Sequence, residues 1–273
     1  MNIQADTENF NYIPVRGDDY YGLVCVSAGL EALCESDGYD DFVRQRITLK
    51  EDQGRAVFCA VLAGGEKILC KVYREVGLVE LVRRLIFGSR AKIGHKKTEA
   101  FFTTSALSAK SLGYLVKKTG LLSCESIHLL EFLDDSKTLL DIFSGDISDN
   151  EKRKILSELS LGLARIHSNG YYHGDLKLRN ILCKKNSVYF VDLDGLSELN
   201  RRKTIEKDIA RLIVGLSEVG VASTDLVGLL TEYCQIRSID MNKIMVEVIK
   251  NVTVYQNRHQ KKYGRNPVVL KLN

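Results

Sequence analysis

Apolar residues fall into short runs before residue 133 and into helical spacing after it. Ile47 to Lys50, Ala56 to Ala63 and Ile68 to Tyr73 read as three strands, separated by Asp52-Gln53-Gly54 and by Gly64-Gly65. Two runs joined by Gly-Gly signal a hairpin, because both central residues of a type I′ turn need positive φ. A two-residue turn there pairs positions that sum to 129. Cys59 then lies opposite Cys70, both on the face away from Lys71. Residues 77–111 read as helical with a break near Gly88-Ser89, and 114–121 and 127–133 as two more strands. Ser148-Asp149-Asn150-Glu151 is a capping box. After it Ile155, Leu156, Leu159, Leu163 and Ile166 line one face of a helix that Asn169-Gly170 ends. Strands recur at 180–183 and 187–192, and the chain reads helical from about 204 to 262. Residues 1–46 are acidic, rich in Tyr and only sparsely apolar, and read as an irregular cap.

The expected architecture is therefore α+β and bilobal. Residues 1–133 form a strand-rich N-terminal lobe, with 1–46 as its cap and 47–133 as sheet plus helix. Residues 134–273 form a helical C-terminal lobe.

Composition narrows the class without choosing a function. The 273 residues are 45% hydrophobic and 27% charged, which excludes wholesale disorder. No run of 18 apolar residues exists, so no membrane span is expected. Asp6, Glu8, Asp18 and Asp19 in the first twenty residues argue against a secretory signal, which leaves a cytoplasmic location as the expectation. The seven cysteines (25, 34, 59, 70, 124, 183 and 234) should then be thiols; no C-x-x-C pair exists, which argues against zinc. A net charge of +4 does not imply nucleic acid, and none is expected as a partner. Residues 71–97, however, carry eight Lys/Arg against Glu75 and Glu80, a local +6. Such a patch would attract anionic headgroups or a phosphorylated sugar, and so favours peripheral contact with an anionic membrane surface.

The chemistry concentrates in His173-Gly174-Asp175-Leu176-Lys177-Leu178-Arg179-Asn180. The kinase catalytic loop is H-R-D-L-x-x-x-N, and only the Arg is replaced, by Gly174. Twelve positions past Asn180, Asp192 ends an apolar strand in Val191-Asp192-Leu193-Asp194-Gly195. Phosphoryl transfer asks for charge neutralisation and in-line positioning rather than covalent chemistry. Asn180 and Asp192 offer oxygen ligands to Mg2+ on ATP phosphates. Asp175 can orient an acceptor hydroxyl and take its proton, and Lys177 can meet the transferred phosphate.

Upstream, Ile68-Leu69-Cys70-Lys71-Val72-Tyr73 resembles the V-A-I-K strand, whose Lys pairs the α- and β-phosphates. That Lys needs a helix carboxylate. Between residues 81 and 124 the only one is Glu99, with Glu75 and Glu80 as alternatives. No G-x-G-x-x-G exists; the turn at Gly54 either covers phosphates with backbone amides or is a plain hairpin turn. In a kinase-like fold the backbone near Glu131 and Leu133 would hold the adenine. In Lys207-Asp208-Ile209-Ala210-Arg211-Leu212, Asp208 is placed either to hold the catalytic loop from below or simply to favour a helix's first turn.

These residues resemble the kinase superfamily and, within it, the bacterial lipopolysaccharide kinase family, the Kdo and heptose kinases. Three stretches carry the closer match. Lys71-Val72-Tyr73-Arg74-Glu75 is followed by a basic helix and Phe87-Gly88-Ser89-Arg90-Ala91-Lys92; His173 to Lys177 precedes Asn180-Ile181-Leu182; and Val191 to Gly195 precedes Lys207 to Leu212. The resemblance spans about residues 47–215. It implies a bilobal protein-kinase-like fold, ATP and Mg2+ as cofactors, and a sugar of the lipopolysaccharide inner core, free or lipid-linked, as acceptor. It also implies that Lys71, Asp175, Asn180 and Asp192 hold the family's Lys, base, Asn and metal positions. A protein Ser/Thr kinase and a pseudokinase are the competing readings. Against the former, Lys207 follows Asp192 by only 15 positions, no A-P-E follows, and Gly174 replaces the Arg that would read a phosphorylated activation loop. Asp194 also stands where a protein kinase has the Gly of D-F-G.

Overall fold

The computed structural model describes residues 11–26, 30, 39, 42–43, 46–52, 54–62, 64–201 and 204–264. Strands β1 (Tyr12–Arg16), β2 (Tyr20–Cys25), β3 (Arg46–Asp52), β4 (Arg55–Val61) and β5 (Lys67–Val76) lead into helices α1 (Leu78–Phe87) and α2 (Arg90–Phe102). Strands β6 (Ser111–Lys118), β7 (Ser123–Glu131) and β8 (Lys137–Thr138) follow, then α3 (Leu139–Phe143) and α4 (Asp149–Ser168). Short strands β9 (Tyr171–Tyr172), β10 (Ile181–Lys184), β11 (Ser187–Phe190) and β12 (Ser197–Glu198) precede α5 (Ile205–Glu218), α6 (Ser223–Arg237) and α7 (Met241–Tyr263).

The chain divides into two compact units, residues 1–99 with 109–132, and residues 100–108 with 133–273. The last three residues of α2 thus belong to the second unit.

The first unit is a seven-stranded sheet in the order β1-β2-β6-β7-β5-β4-β3, antiparallel throughout. Two of its strands come from the segment expected to be an irregular cap. Tyr12–Arg16 and Tyr20–Cys25 extend the sheet at β6, and their side chains Val15, Tyr20 and Val24 are buried. Their alternation is short and broken by Gly17-Asp18-Asp19, too weak a period to read without the sheet edge that receives it. One face of the sheet buries Phe58, Cys70, Val72, Leu115, Ile127 and Leu129. The other carries Lys71, which stands between Val57 of β4 and His128 of β7.

The β4–β5 register differs by one from the expected pairing. Phe58 faces Cys70, and Cys59 faces Leu69. The Leu62 amide donates to the Glu66 carbonyl at 2.8 Å, so three residues rather than two make the turn. The reason lies at the glycines: Gly65 has φ +83°, but Gly64 has no positive φ, so no type I′ turn forms. Cys59 therefore shares the face of Lys71, while Cys70 lies in the core behind it.

The expected helix end at 111 is also too late, since α2 stops at Phe102. Thr104 then hydrogen-bonds back to Phe101, and Ser105 takes a left-handed φ of 58°. The basic patch is smaller than its sequence arithmetic. Arg74 pairs with Glu51 and Glu125, Arg83 with Glu75 and Glu80, and Arg90 with Glu80 at 2.7 Å.

In the second unit α4 starts as expected: the Ser148 hydroxyl accepts the Glu151 amide, and Ile155, Leu156, Leu159, Leu163 and Ile166 are buried. They pack with Leu176, Ile181 and Phe190 and with Ile209, Leu212 and Ile213 of α5. Six cysteines are buried thiols outside any disulfide; Cys34 lies outside the described residues.

Candidate active site

In the second unit, the segment from β9 to β11 folds into a tight loop. The Lys177 amide donates to the Asp175 carbonyl and the Asn180 amide to the Lys177 carbonyl, each at 2.8 Å. These bonds form the single helical turn Leu178–Asn180 that carries the chain into β10. They turn Asn180 back on Asp175: its Nδ2 donates to the Asp175 carbonyl at 2.9 Å and to Oδ2 at 3.0 Å. Lys177 Nζ lies 2.7 Å from the same Oδ2. The other carboxylate oxygen, Oδ1, receives Arg211 of α5 at 3.2 Å, and Arg211 also donates to the Gly174 carbonyl.

Below the loop, Asp208 is fully buried and accepts the His173 amide at 2.6 Å and the Gly174 amide at 3.1 Å. Two loop amides thus converge on one α5 carboxylate, the first of the two arrangements weighed for Asp208. His167 stands behind it, with Nδ1 at 2.8 Å from the Tyr233 hydroxyl and Nε2 at 3.5 Å from Asp208. Burial pushes the imidazole pKa of both His167 and His173 down, against the pull of Asp208. Both rings are therefore neutral supports rather than charges near pH 7.

Asp192 follows β11. The Val191 amide donates to the Asn180 carbonyl at 2.9 Å, which ties the two segments at the same end of the β10–β11 pair. Asp192 itself is left-handed, with φ 61° and ψ 56°, and a single helical turn, Leu193–Gly195, follows. Non-glycine residues seldom hold that conformation except where neighbours impose it, often at functional sites. Asp175, Lys177, Asn180 and Asp192 are thus brought together in this unit.

Lys71, Gly54, Glu99 and Glu131 belong to the first unit, Leu133 to the second. Gly54 lies along β5 just beyond Lys71: Val57 pairs with Lys71, Arg55 with Tyr73, and the Gly54 carbonyl accepts the Arg74 amide at 2.9 Å. Of the three carboxylates weighed against Lys71, two are taken. Glu75 is fully buried and accepts from Arg83, from the Arg90 amide at 3.0 Å and from the Ser126 hydroxyl at 2.7 Å. Glu80 accepts from Arg83 and Arg90. Glu99 remains, and its Oε1 receives the Tyr12 hydroxyl at 2.8 Å. That contact comes from β1, so no reading of the cap as irregular finds it. Beside it, His95 Nδ1 lies 2.8 Å from the Ser111 hydroxyl, which lies 3.0 Å from His128 Nε2. Burial, with Lys71 and His95 nearby, holds His128 well below its ordinary pKa.

The Glu131 amide donates to the Lys110 carbonyl at 2.8 Å, and its carboxylate accepts the Lys110 amide. The Leu133 carbonyl accepts from Ser136, while its amide donates no hydrogen bond among the described residues. Arg211 is the site residue that sequence reasoning missed. The signal was present: Arg211 lies three residues after Asp208, hence on the same helix face.

The donor set suits a hard cation. Asn180 spends its amide nitrogen on Asp175, which leaves Oδ1 without a partner among the described residues, and Asp192 supplies a carboxylate on the adjoining segment. Two side-chain oxygens, with phosphate oxygens and water, would fill such a shell. Mg2+ is ordinarily bound in that way.

The solved structure of WaaP in complex with acyl carrier protein matches with a TM-score of 0.61 at 16% identity. The match covers 83% of this chain and 93% of that one, so the fold is protein-kinase-like. The model of the lipopolysaccharide kinase (Kdo/WaaP) family matches residues 49–233, and the chain belongs to that family. More distantly, 78 residues are 35% identical to protein kinase kin1 of Schizosaccharomyces pombe, 28% of this chain and 9% of that protein. A probable serine/threonine-protein kinase of Encephalitozoon cuniculi is 29% identical over 156 residues, 56% of this chain and 26% of its own length. The chain thus spans about a quarter or less of these two relatives.

Proposed function

We propose that the chain transfers the γ-phosphate of ATP to a hydroxyl of a Kdo or heptose in the lipopolysaccharide inner core. The observation that carries this reading is that the family match runs through Lys71 and through the whole cluster around Asp175, with every polar position filled. Asp175 orients the acceptor hydroxyl and takes its proton; Arg211 and Asn180 hold its two oxygens so that the carboxylate cannot swing. Lys177, which is 59% exposed, leaves Asp175 to meet the transferred phosphate. Asn180 Oδ1 and Asp192 would hold Mg2+, which when bound neutralises phosphate charge. Lys71 pairs the α- and β-phosphates, Glu99 orients Lys71, and the Gly54 turn covers the phosphates. The adenine is held by the free amide of Leu133 and by the carbonyl of Glu131, whose own amide is already spent on Lys110.

The test is phosphate transfer from γ-labelled ATP with Mg2+ to purified core oligosaccharide, beside intact lipopolysaccharide and a generic protein. The label should enter the core sugar. Label in the protein substrate alone would favour a protein kinase, and no ATP consumption with any acceptor would favour a pseudokinase.

A further inference from the structure

Helix α1 is amphipathic in the wrong sense for a packed helix. Leu78, Val79, Val82, Leu85, Ile86 and Phe87 are all exposed, Val79 at 82% and Leu85 at 75%, and the helix buries none of its residues. At 100° per residue, Leu85, Leu78, Val82, Ile86 and Val79 span one continuous arc. Its polar side chains Glu80 and Arg83 instead turn toward the protein, where the buried Glu75 and the α2 residue Arg90 engage them. The β6–β7 turn extends the same surface. The Gly77 amide donates to the Leu122 carbonyl at 3.1 Å, and Leu121 beside it is 93% exposed. Contiguous exposed apolar surface of this kind marks an interaction site.

We propose that α1 and Leu121 insert into the headgroup–acyl boundary of an anionic lipid bilayer, with α1 lying in the membrane plane. Charge favours a bilayer over another partner. The exposed arc carries no carboxylate, and Glu80 is occupied by two arginines. The α2 residues Lys92 and Lys96 add positive charge on the flank, and neither makes an ion pair with a carboxylate among the described residues. An apolar stripe rimmed by cations is the pattern of an interfacial helix. This inference does not depend on the kinase reading. It also shifts the driving force from the basic patch, several of whose arginines are already paired, to apolar burial.

The chain contains no Trp, so Ile86→Trp installs one fluorophore on the exposed arc. The full chain is mixed with vesicles of phosphatidylethanolamine and phosphatidylglycerol. The expected result is a blue-shifted emission, quenched by lipids brominated on their acyl chains, and co-sedimentation that persists in part at high salt. Val82→Ser with Leu85→Ser removes apolar area without changing charge and should weaken binding by about tenfold or more at unchanged melting temperature. Lys92→Gln with Lys96→Gln should weaken it less and reduce its salt dependence. Unshifted emission, or Val82→Ser/Leu85→Ser binding like the wild type, overturns the proposal. So does a concentration-dependent dimer, or a stable complex with an acidic protein, that buries residue 86 in place of lipid.

Discussion

Gly174 stands where the protein-kinase loop carries Arg, and its surroundings account for the exchange. Its φ is +84°, and a Cβ there would lie 2.5 Å from the Gly195 carbonyl oxygen. Any side chain must therefore accept left-handed strain of about 1–2 kcal/mol and also push the Asp192–Gly195 turn away. Gly174→Arg, which restores the protein-kinase motif, should lower both the melting temperature and turnover, and Gly174→Ala should do so in smaller measure. A Gly174→Arg protein as stable and active as the wild type would refute the packing argument. Asp208→Ala strips two loop amides of their acceptor, at about 1–3 kcal/mol each. Chemical denaturation should register that loss. That Asp175 and Asn180 share one tight loop was legible, because the loop is a local motif whose spacing survives without tertiary knowledge. The Tyr12 contact was not, because its partner Glu99 lies 87 residues away along the chain.

At the scale of elements, α1 is held in place by charge rather than by apolar packing. The Glu75 carboxylate is the anchor, so Glu75→Gln should leave Arg83 without its buried partner and cost about 3–5 kcal/mol, measured by denaturant titration. A loss under 1 kcal/mol would contradict this. The helices α4 to α7 were legible from their periods and caps, although the run from 204 to 262 resolves into three. The β4–β5 register was not, since Gly-Gly permits a two-residue turn without requiring one. The placement of α1 was not legible either, for its amphipathic period predicts burial of the face that is exposed. In the layer between α2 and the sheet, burial and the Lys96 charge hold His95 down at about 4 against an ordinary 6.5. Protonation is therefore easier in the unfolded chain. The stability that neutral His95 contributes is complete above about pH 6.5 and is lost as pH falls toward 4, by about 3 kcal/mol in total. His128, His167 and His173 are shifted the same way by burial. Replacing His95 by Gln should remove part of the loss between pH 6.5 and 4, and an unchanged pH profile of unfolding would reject that account.

At the scale of the whole molecule, Lys71 and Glu99 lie in the first unit, and Asp175, Asn180 and Asp192 in the second. The family was legible because its motifs are short, ordered and polar within apolar strands. The acceptor sugar was not, because no motif in the chain encodes its shape. The central claim is that the Asp175–Asn180–Asp192 cluster carries out Mg2+-dependent phosphoryl transfer. A single-turnover measurement of γ-phosphate transfer to core oligosaccharide, in the wild type, Asp175→Ala and Asp192→Ala at matched Mg2+, tests it most directly. The account predicts transfer by the wild type that chelation of Mg2+ abolishes. It predicts a fall of about 10²–10⁴-fold in Asp175→Ala, and loss of Mg2+-dependent transfer in Asp192→Ala, both with melting curves like the wild type. Near-normal transfer by Asp192→Ala with Mg2+ would contradict it.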